Sequence, residues 1–303
     1  METKGSAAPY RQAAAVLPPR LRQEALSLGE IYQTQAEEIR LRVGQPVSVV
    51  LPRGEWVSAG PPVTQSELEH LVEIASRTSF HAVVDQIRRG YLTMEGGHRI
   101  GLCGTAVLRE RAIHSLSRLS SANVRVAREV RGAADGVLAA LCPEGRLVST
   151  LILAPPGLGK TTLLRDVVRQ VSCGCGVEPR RVALADERGE VAALRDGCPQ
   201  MDVGVRTDVL EGCPKAQGLM LLLRAMNPQV LAADEITAPE DVVALETAVG
   251  CGVTLLATAH GADLSDLRRR PLYRPLLEGG LLRRLVTIRR VNGVRCYEVE
   301  EMK

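Results

Sequence analysis

The sequence predicts an α/β protein built on a mainly parallel sheet, and three observations carry that expectation. Apolar runs at 148–153, 181–186, 229–235 and 251–260 are continuous rather than alternating, as strands buried on both faces are. Helical stretches separate them, and several of the runs end in charged residues, at the carboxyl ends where open parallel sheets place their ligands. The first run passes through a Pro/Gly turn into Lys-Thr-Thr and an apolar-periodic helix.

That last segment, from Leu151 to Asp166, sets the chemistry. Pro155, Pro156, Gly157, Leu158, Gly159, Lys160, Thr161 and Thr162 stand in the strand–loop–helix context that a phosphate-binding loop requires. Glycines let backbone N–H groups turn inward around an anion, and the helix N-terminus adds partial positive charge. Lys160 reaches β- and γ-phosphate oxygens, and the Thr161 hydroxyl is a Mg²⁺ ligand. The pattern G-x-x-x-x-G-K-[ST] is met except that Ala154 stands at the first glycine, which a negative φ tolerates. ATP with Mg²⁺ is the expected ligand pair.

A chain of 303 residues has room for about two domains. The pattern divides it into an α+β region over 1–130 and the nucleotide core over 131–303. Hydrophobic residues at 45% with 24% charged fit a soluble globular protein, and aromatics at only 2% argue against a base-stacking platform for single strands. A net charge of +3 gives no field that would draw the protein onto nucleic acid or lipid, and Arg268–Arg270 and Arg289–Arg290 read as solvated or interface arginines. There is no targeting segment and no apolar run near the ~18 residues of a spanning helix, so a cytoplasmic location is expected, with any membrane role exerted through partners. Of the eight cysteines only Cys173 and Cys175 are close, which is poor zinc spacing and reads as a reduced set.

In the first region, residues 21–26 read as a short helix. Residues 37–50 alternate and then turn apolar, which predicts a hairpin around Gly44, Gln45 and Pro46. Residues 66–75 form an amphipathic helix capped by Ser66 with Glu69 three residues on, and 79–92 read as helical with a stop at Gly90. Short β runs follow at 91–94 and 98–103, and an alternating run at 123–130. Arg88, Arg89, Arg99, Arg125 and Arg128 are many for one small sheet; they are either solvated or presented to a neighbour's phosphates. In the second region a helix is expected near 133–142, ahead of the first buried strand.

The strand ends supply the remaining candidates. Asp234–Glu235 after an apolar run is the second signature of a nucleotide hydrolase, Asp234 ordering Mg²⁺ through water and Glu235 polarising the attacking water; alone, such a pair could also be a helix cap. His260 closes the next strand, where it can sense the γ-phosphate or position water. Asp186–Glu187–Arg188 ends another, with Glu187 able to share water activation and Arg188 to pair with a carboxylate. Arg206, in the charged loop 202–208, can meet a phosphate or form an internal pair.

Together with Glu38–Gly44, Gly96–Gly104, Asp186–Glu190, Asp202–Asp208, Asp234–Ile236 and Ala257–Gly261, these motifs resemble the stage III sporulation AA family of endospore-forming bacteria, itself similar to type II and type IV secretion and pilus ATPases. The resemblance covers nearly the whole chain. It implies a RecA/AAA-like P-loop ATPase core preceded by a smaller α+β domain, a homo-hexamer, and membrane-embedded channel partners on the mother-cell side. It also implies that an acidic box at Asp186–Glu187 and a histidine box at His260 flank the nucleotide, while Arg99, Arg125 and Arg128 approach its phosphates. Gly189 departs from the serine frequent in the family. Three functions follow as expectations: an ATP-hydrolysing motor; an ATP-dependent assembly scaffold with little turnover; and, disfavoured by charge and composition, a RecA-like nucleic-acid motor.

Overall fold

A computed structural model of the chain describes residues 6–76, 91–109, 112–291 and 294–302. Contacts divide the chain into two units, Met1–Arg128 with Leu194–Gln200, and Glu129–Ala193 with Met201–Lys303.

The first unit holds six antiparallel strands: β1 (Glu38–Arg42), β2 (Ser48–Leu51), β3 (Gly54–Val57), β4 (Tyr91–Thr93), β5 (Arg99–Arg109) and β6 (Ala112–Arg125), ordered β3-β2-β1-β6-β5-β4. Period-two alternation places Ile39 and Leu41 of β1 in the core and leaves the arginines between and after them outside it. The expected hairpin forms with Glu38 opposite Val50, and Gly44 takes the left-handed conformation its turn needs, at φ 81°. Helices Ala8–Ala14, Pro19–Leu26 and Gln65–Ala75 bury Tyr10, Leu21, Leu68 and Leu71 in the same core.

The last of these helices begins earlier than expected, and Thr64, not Ser66, is its cap. Glu67 N–H donates to the Thr64 hydroxyl at 3.3 Å, and the Glu67 carboxylate accepts from Thr64 N–H at 2.9 Å. The helix expected over 79–92 lies outside the described residues except for Tyr91 and Leu92, which belong to β4. The alternating run at 123–130 is strand only as far as Arg125, as the end of a β5–β6 hairpin longer than its weakly apolar sequence suggests.

The second unit is a seven-stranded sheet. Its strands are β7 (Thr150–Ala154), β8 (Val182–Asp186), β11 (Thr207–Glu211), β12 (Val230–Ala233), β13 (Thr254–His260), β14 (Arg284–Val291) and β15 (Val294–Glu301). The order is β11-β8-β12-β13-β7-β14-β15, parallel throughout except for the β14–β15 pair. The intervening β9 (Leu194–Arg195) and β10 (Cys198–Pro199) form a separate two-stranded ribbon that belongs to the first unit. Every residue of β7, β8 and β12 is buried, which is why those segments read as unbroken apolar runs.

Near 133–142 only Leu138–Leu141 is α-helical, preceded by turns from Arg131. The helix Lys160–Cys173 packs Leu163, Leu164, Val167, Val168 and Val171 inward, each such burial being worth roughly 1.5–3 kcal/mol. Gly174 ends it at φ 78°, a value that favours glycine. Because the six strands run the same way, the residues that follow Ala154, Asp186, Ala233 and His260 share one edge of the sheet. Among the described residues no helix is long and apolar enough to cross a membrane.

Candidate nucleotide site

The phosphate loop springs from the end of β7. Ala154 is extended and fully buried, so the missing first glycine costs no backbone strain. Gly157 (φ 76°) and Gly159 (φ 97°) supply the left-handed turns, and an added Cβ on Gly157 would meet nothing within 4 Å. Pro155, Pro156 and Gly157 are exposed at the rim, whereas Leu158 and Gly159 are half-buried, as are Thr161 and Thr162 in the first turn of the helix.

Lys160 is only 7% exposed, and its ammonium donates to the carbonyls of Ala154 at 3.1 Å and Pro155 at 3.4 Å. It also meets His260 Nδ1 at 2.9 Å. Burial holds the lysine below its ordinary pKa, and Glu235 and Asp234 pull it back up.

Asp234, just past β12, accepts from the Thr161 hydroxyl at 2.7 Å and from the Thr258 hydroxyl at 2.5 Å. Glu235 sits at φ 57°, a left-handed conformation uncommon outside glycine and concentrated at functional sites. Its N–H donates to Thr258 Oγ1 at 2.8 Å, one carboxylate oxygen contacts His260 Nε2, and the other accepts from Arg188 at 3.0 Å. Three strands therefore bring Lys160, Thr161, Asp234, Glu235, Thr258 and His260 into one connected polar network.

The acidic box is built differently. Asp186 is 1% exposed and accepts the main-chain N–H groups of Glu190, Val191 and Ala192 at 2.8–3.0 Å. Burial raises its pKa even against those three donors. Gly189 takes φ 63°, a conformation that strains any side chain, and a Cβ there would also displace the flexible Glu211 carboxylate, whose carbon would stand 2.7 Å away.

Lys215 is the residue that sequence reasoning missed. It is 5% exposed, donates to the Glu235 carbonyl at 2.6 Å, and pairs with Glu187 at 3.3 Å and Asp241 at 3.7 Å. One lysine after Cys213–Pro214 has no sequence spacing that would single it out, and neither has Thr258 inside an apolar strand.

Other expected residues lie elsewhere. Arg206 precedes β11, whose first residue pairs with the first residue of β8, so it stands at the amino edge of the sheet, opposite Lys160. Its N–H donates to Ser172 Oγ at 2.6 Å and its guanidinium to the Ser172 carbonyl at 2.9 Å, so within the chain it braces a helix end. In the first unit Arg128 donates to the carbonyls of Ala36 at 2.6 Å and Gln33 at 3.0 Å, a structural commitment. Arg125 pairs with Glu38 at 3.3 Å and Arg99 lies 4.5 Å over the Tyr91 ring. Arg88 and Arg89 fall outside the described residues.

A glycine turn, a buried lysine, a hydroxyl and carboxylates meet at the carboxyl edge of a parallel sheet, which is the arrangement of the P-loop fold. The chain superposes on the pilus retraction motor PilT with bound ADP at a TM-score of 0.63, with 17% identity, over 93% of this chain and 82% of that one. It superposes on the ATPase DotB of Legionella pneumophila at 0.58, with 18% identity, over 92% and 78%. Residues 10–295 match the model of the family described as sporulation stage III, protein AA, and the chain belongs to that family. It is 36% identical over 283 residues to the stage III sporulation protein AA of Bacillus subtilis (strain 168), covering 93% of this chain and 92% of that protein. It is also 27% identical over 273 residues to the protein SEEDLING PLASTID DEVELOPMENT 1 of Arabidopsis thaliana, covering 87% of this chain and 35% of that protein.

Proposed function

We propose that this chain binds and hydrolyses ATP with Mg²⁺ and works as a homo-hexameric motor that drives or assembles a membrane-embedded sporulation channel from the mother-cell cytoplasm. The observation that carries the reading is the convergence of Lys160, Thr161, Asp234, Glu235 and His260 at one sheet edge through direct contacts. The family and the likeness to a pilus retraction motor support coupling to a membrane apparatus.

The donor set fits the metal. Thr161 Oγ1 and Asp234 Oδ2, 2.7 Å apart, are hard oxygen donors that would hold Mg²⁺ alongside phosphate oxygens. Bound there, Mg²⁺ would supply charge neutralisation to the triphosphate. Lys160 adds a buried cation, and the N–H groups of the loop bind and orient the phosphates. Glu235 takes the proton of a water that attacks the γ-phosphorus; the bond to the bridging oxygen breaks and ADP leaves with its electron pair. His260, bonded to both Lys160 and Glu235, orients that water as the carboxylate turns to it.

One feature favours a second reading, a nucleotide-dependent scaffold with little turnover: both oxygens of the Glu235 carboxylate are engaged, by His260 and by Arg188. Steady-state ATP hydrolysis across a protein concentration series, with Lys160→Ala and Glu235→Gln beside the unaltered chain, separates the two. Cooperative turnover that both substitutions abolish supports the ring motor. ATP binding with turnover no higher than that of Glu235→Gln at every concentration supports the scaffold.

A further inference from the structure

The β14–β15 hairpin carries two arginines that the network around Glu235 does not use. β14 pairs with β7 from Arg284 opposite Thr150 to Thr287 opposite Leu153 and then runs on, so Arg290 and its antiparallel partner Arg295 stand beyond the carboxyl end of β7, at the level of the phosphate loop. Lying directly opposite each other, they share one face of the hairpin. An ideal Cβ built on Gly159 would lie 3.1 Å from both Cζ and Nη1 of Arg295, so this guanidinium rests against the turn that precedes Lys160.

Both arginines are exposed, and among the described residues neither guanidinium makes a hydrogen bond or ion pair. Arg289, on the other face, pairs with Glu298 at 3.3 Å. Like charges directly opposite on antiparallel strands destabilise the pair. A guanidinium fork, in turn, matches phosphate oxygens in charge and geometry. An anion held at the Gly159 turn reconciles the two facts. Sheet order fixes which part of that anion is met: β13, with His260, flanks β7 on one side, and β14 with β15 flanks it on the other.

We propose that Arg295, with Arg290 beside it, clamps the α- and β-phosphates of the bound nucleotide, the end of the triphosphate away from Glu235. The inference rests on the loop being a nucleotide site, and it makes the hairpin a holder of nucleoside di- and triphosphates alike. Loss of the clamp raises KM and leaves kcat nearly unchanged.

The test is binding of fluorescent ADP and ATP analogues to the full chain, read by anisotropy, with melting temperatures in the absence of nucleotide. The variants are Arg295→Ala, Arg290→Ala with Arg295→Ala, Arg289→Ala and Lys160→Ala. Arg295→Ala is expected to weaken both nucleotides about tenfold, and the double variant further. Arg289→Ala should bind as the unaltered chain does, and Arg295→Ala should melt at or above it because repulsion is relieved. A purely structural role would instead lower the melting temperature and leave affinity intact. Unchanged affinity in Arg295→Ala alongside loss in Lys160→Ala overturns the clamp and leaves the nucleotide site standing; no binding by the unaltered chain overturns both. Weakening of ATP alone, or equal weakening by Arg289→Ala, also overturns the clamp.

Discussion

The same dipeptide, Asp-Glu, meets the carboxyl end of two neighbouring strands, and the two copies do different work. Asp186 ends β8 buried, its oxygens taken by three main-chain N–H groups that turn the chain through Gly189. Asp234 follows β12 and accepts from two side-chain hydroxyls, one on the helix of the phosphate loop and one on β13. A carboxylate saturated by its own backbone is a fastener. A carboxylate held by hydroxyls that can turn away is available to a cation. The glutamates differ in the same sense: Glu187 is half-exposed and paired with Lys215, whereas Glu235 is set in a left-handed conformation against His260.

Removing the basicity of each glutamate separates the two roles. Glu235→Gln is expected to lower ATP turnover by about 10²–10⁴-fold, the range of a lost general base, with nucleotide affinity retained. Glu187→Gln should lower it by less than about tenfold, since Lys215 keeps its bonds to Glu235 and Asp241. Single-turnover rates decide. The reverse ranking would make the acidic box the site of proton transfer and Asp234–Glu235 the support.

Next in size is stability. Asp186→Ala strands the N–H groups of Glu190, Val191 and Ala192, the last two of them buried, and should cost roughly 2–4 kcal/mol in denaturant unfolding, whereas Asp234→Ala should stay within about 1 kcal/mol of the unaltered chain. Burial puts the folded-state pKa of Asp186 above its ordinary value of 3.8, so the folded protein holds that proton more tightly than the unfolded chain. Its contribution is fully present below 3.8 and is lost as pH rises through the folded value. The stability advantage over Asp186→Asn should therefore shrink as pH climbs from about 4. An advantage that grows with pH would mean that the three N–H donors outweigh burial.

What could be read in advance follows from the range of the interactions. The phosphate loop and β7, β8, β12 and β13 were legible because a strand buried on both faces leaves a contiguous apolar run and a glycine turn is a local device. β14, β15 and β11 were not, because edge and hairpin strands carry charges on their open faces, as Arg289, Glu298 and Asp208 do. Asp234, Glu235 and His260 were marked by following apolar runs, but their mutual contacts depend on strand order, which spacing does not encode. Lys215 and Thr258 were invisible for that reason. Arg206 stands at the amino edge of the sheet for the complementary reason: a charged loop between two strands reads the same whichever edge it crosses.

The smallest expected effect concerns what holds Glu235 in place. Arg188 is 66% exposed and its pair with Glu235 spans 3.0 Å, a contact of the kind worth about 0.2–1 kcal/mol at a surface. Arg188→Ala should therefore raise basal turnover only about two- to fivefold, by freeing one oxygen of the carboxylate for water. Lys215 fixes the same residue through its main chain, so Lys215→Met should act in the opposite direction: Glu235 loses a buried donor to its carbonyl and turnover falls. Measured side by side at saturating ATP, a rise with the first and a fall with the second would separate restraint of the carboxylate from support of its backbone. A fall with both would mean that Arg188 helps position Glu235 rather than restraining it.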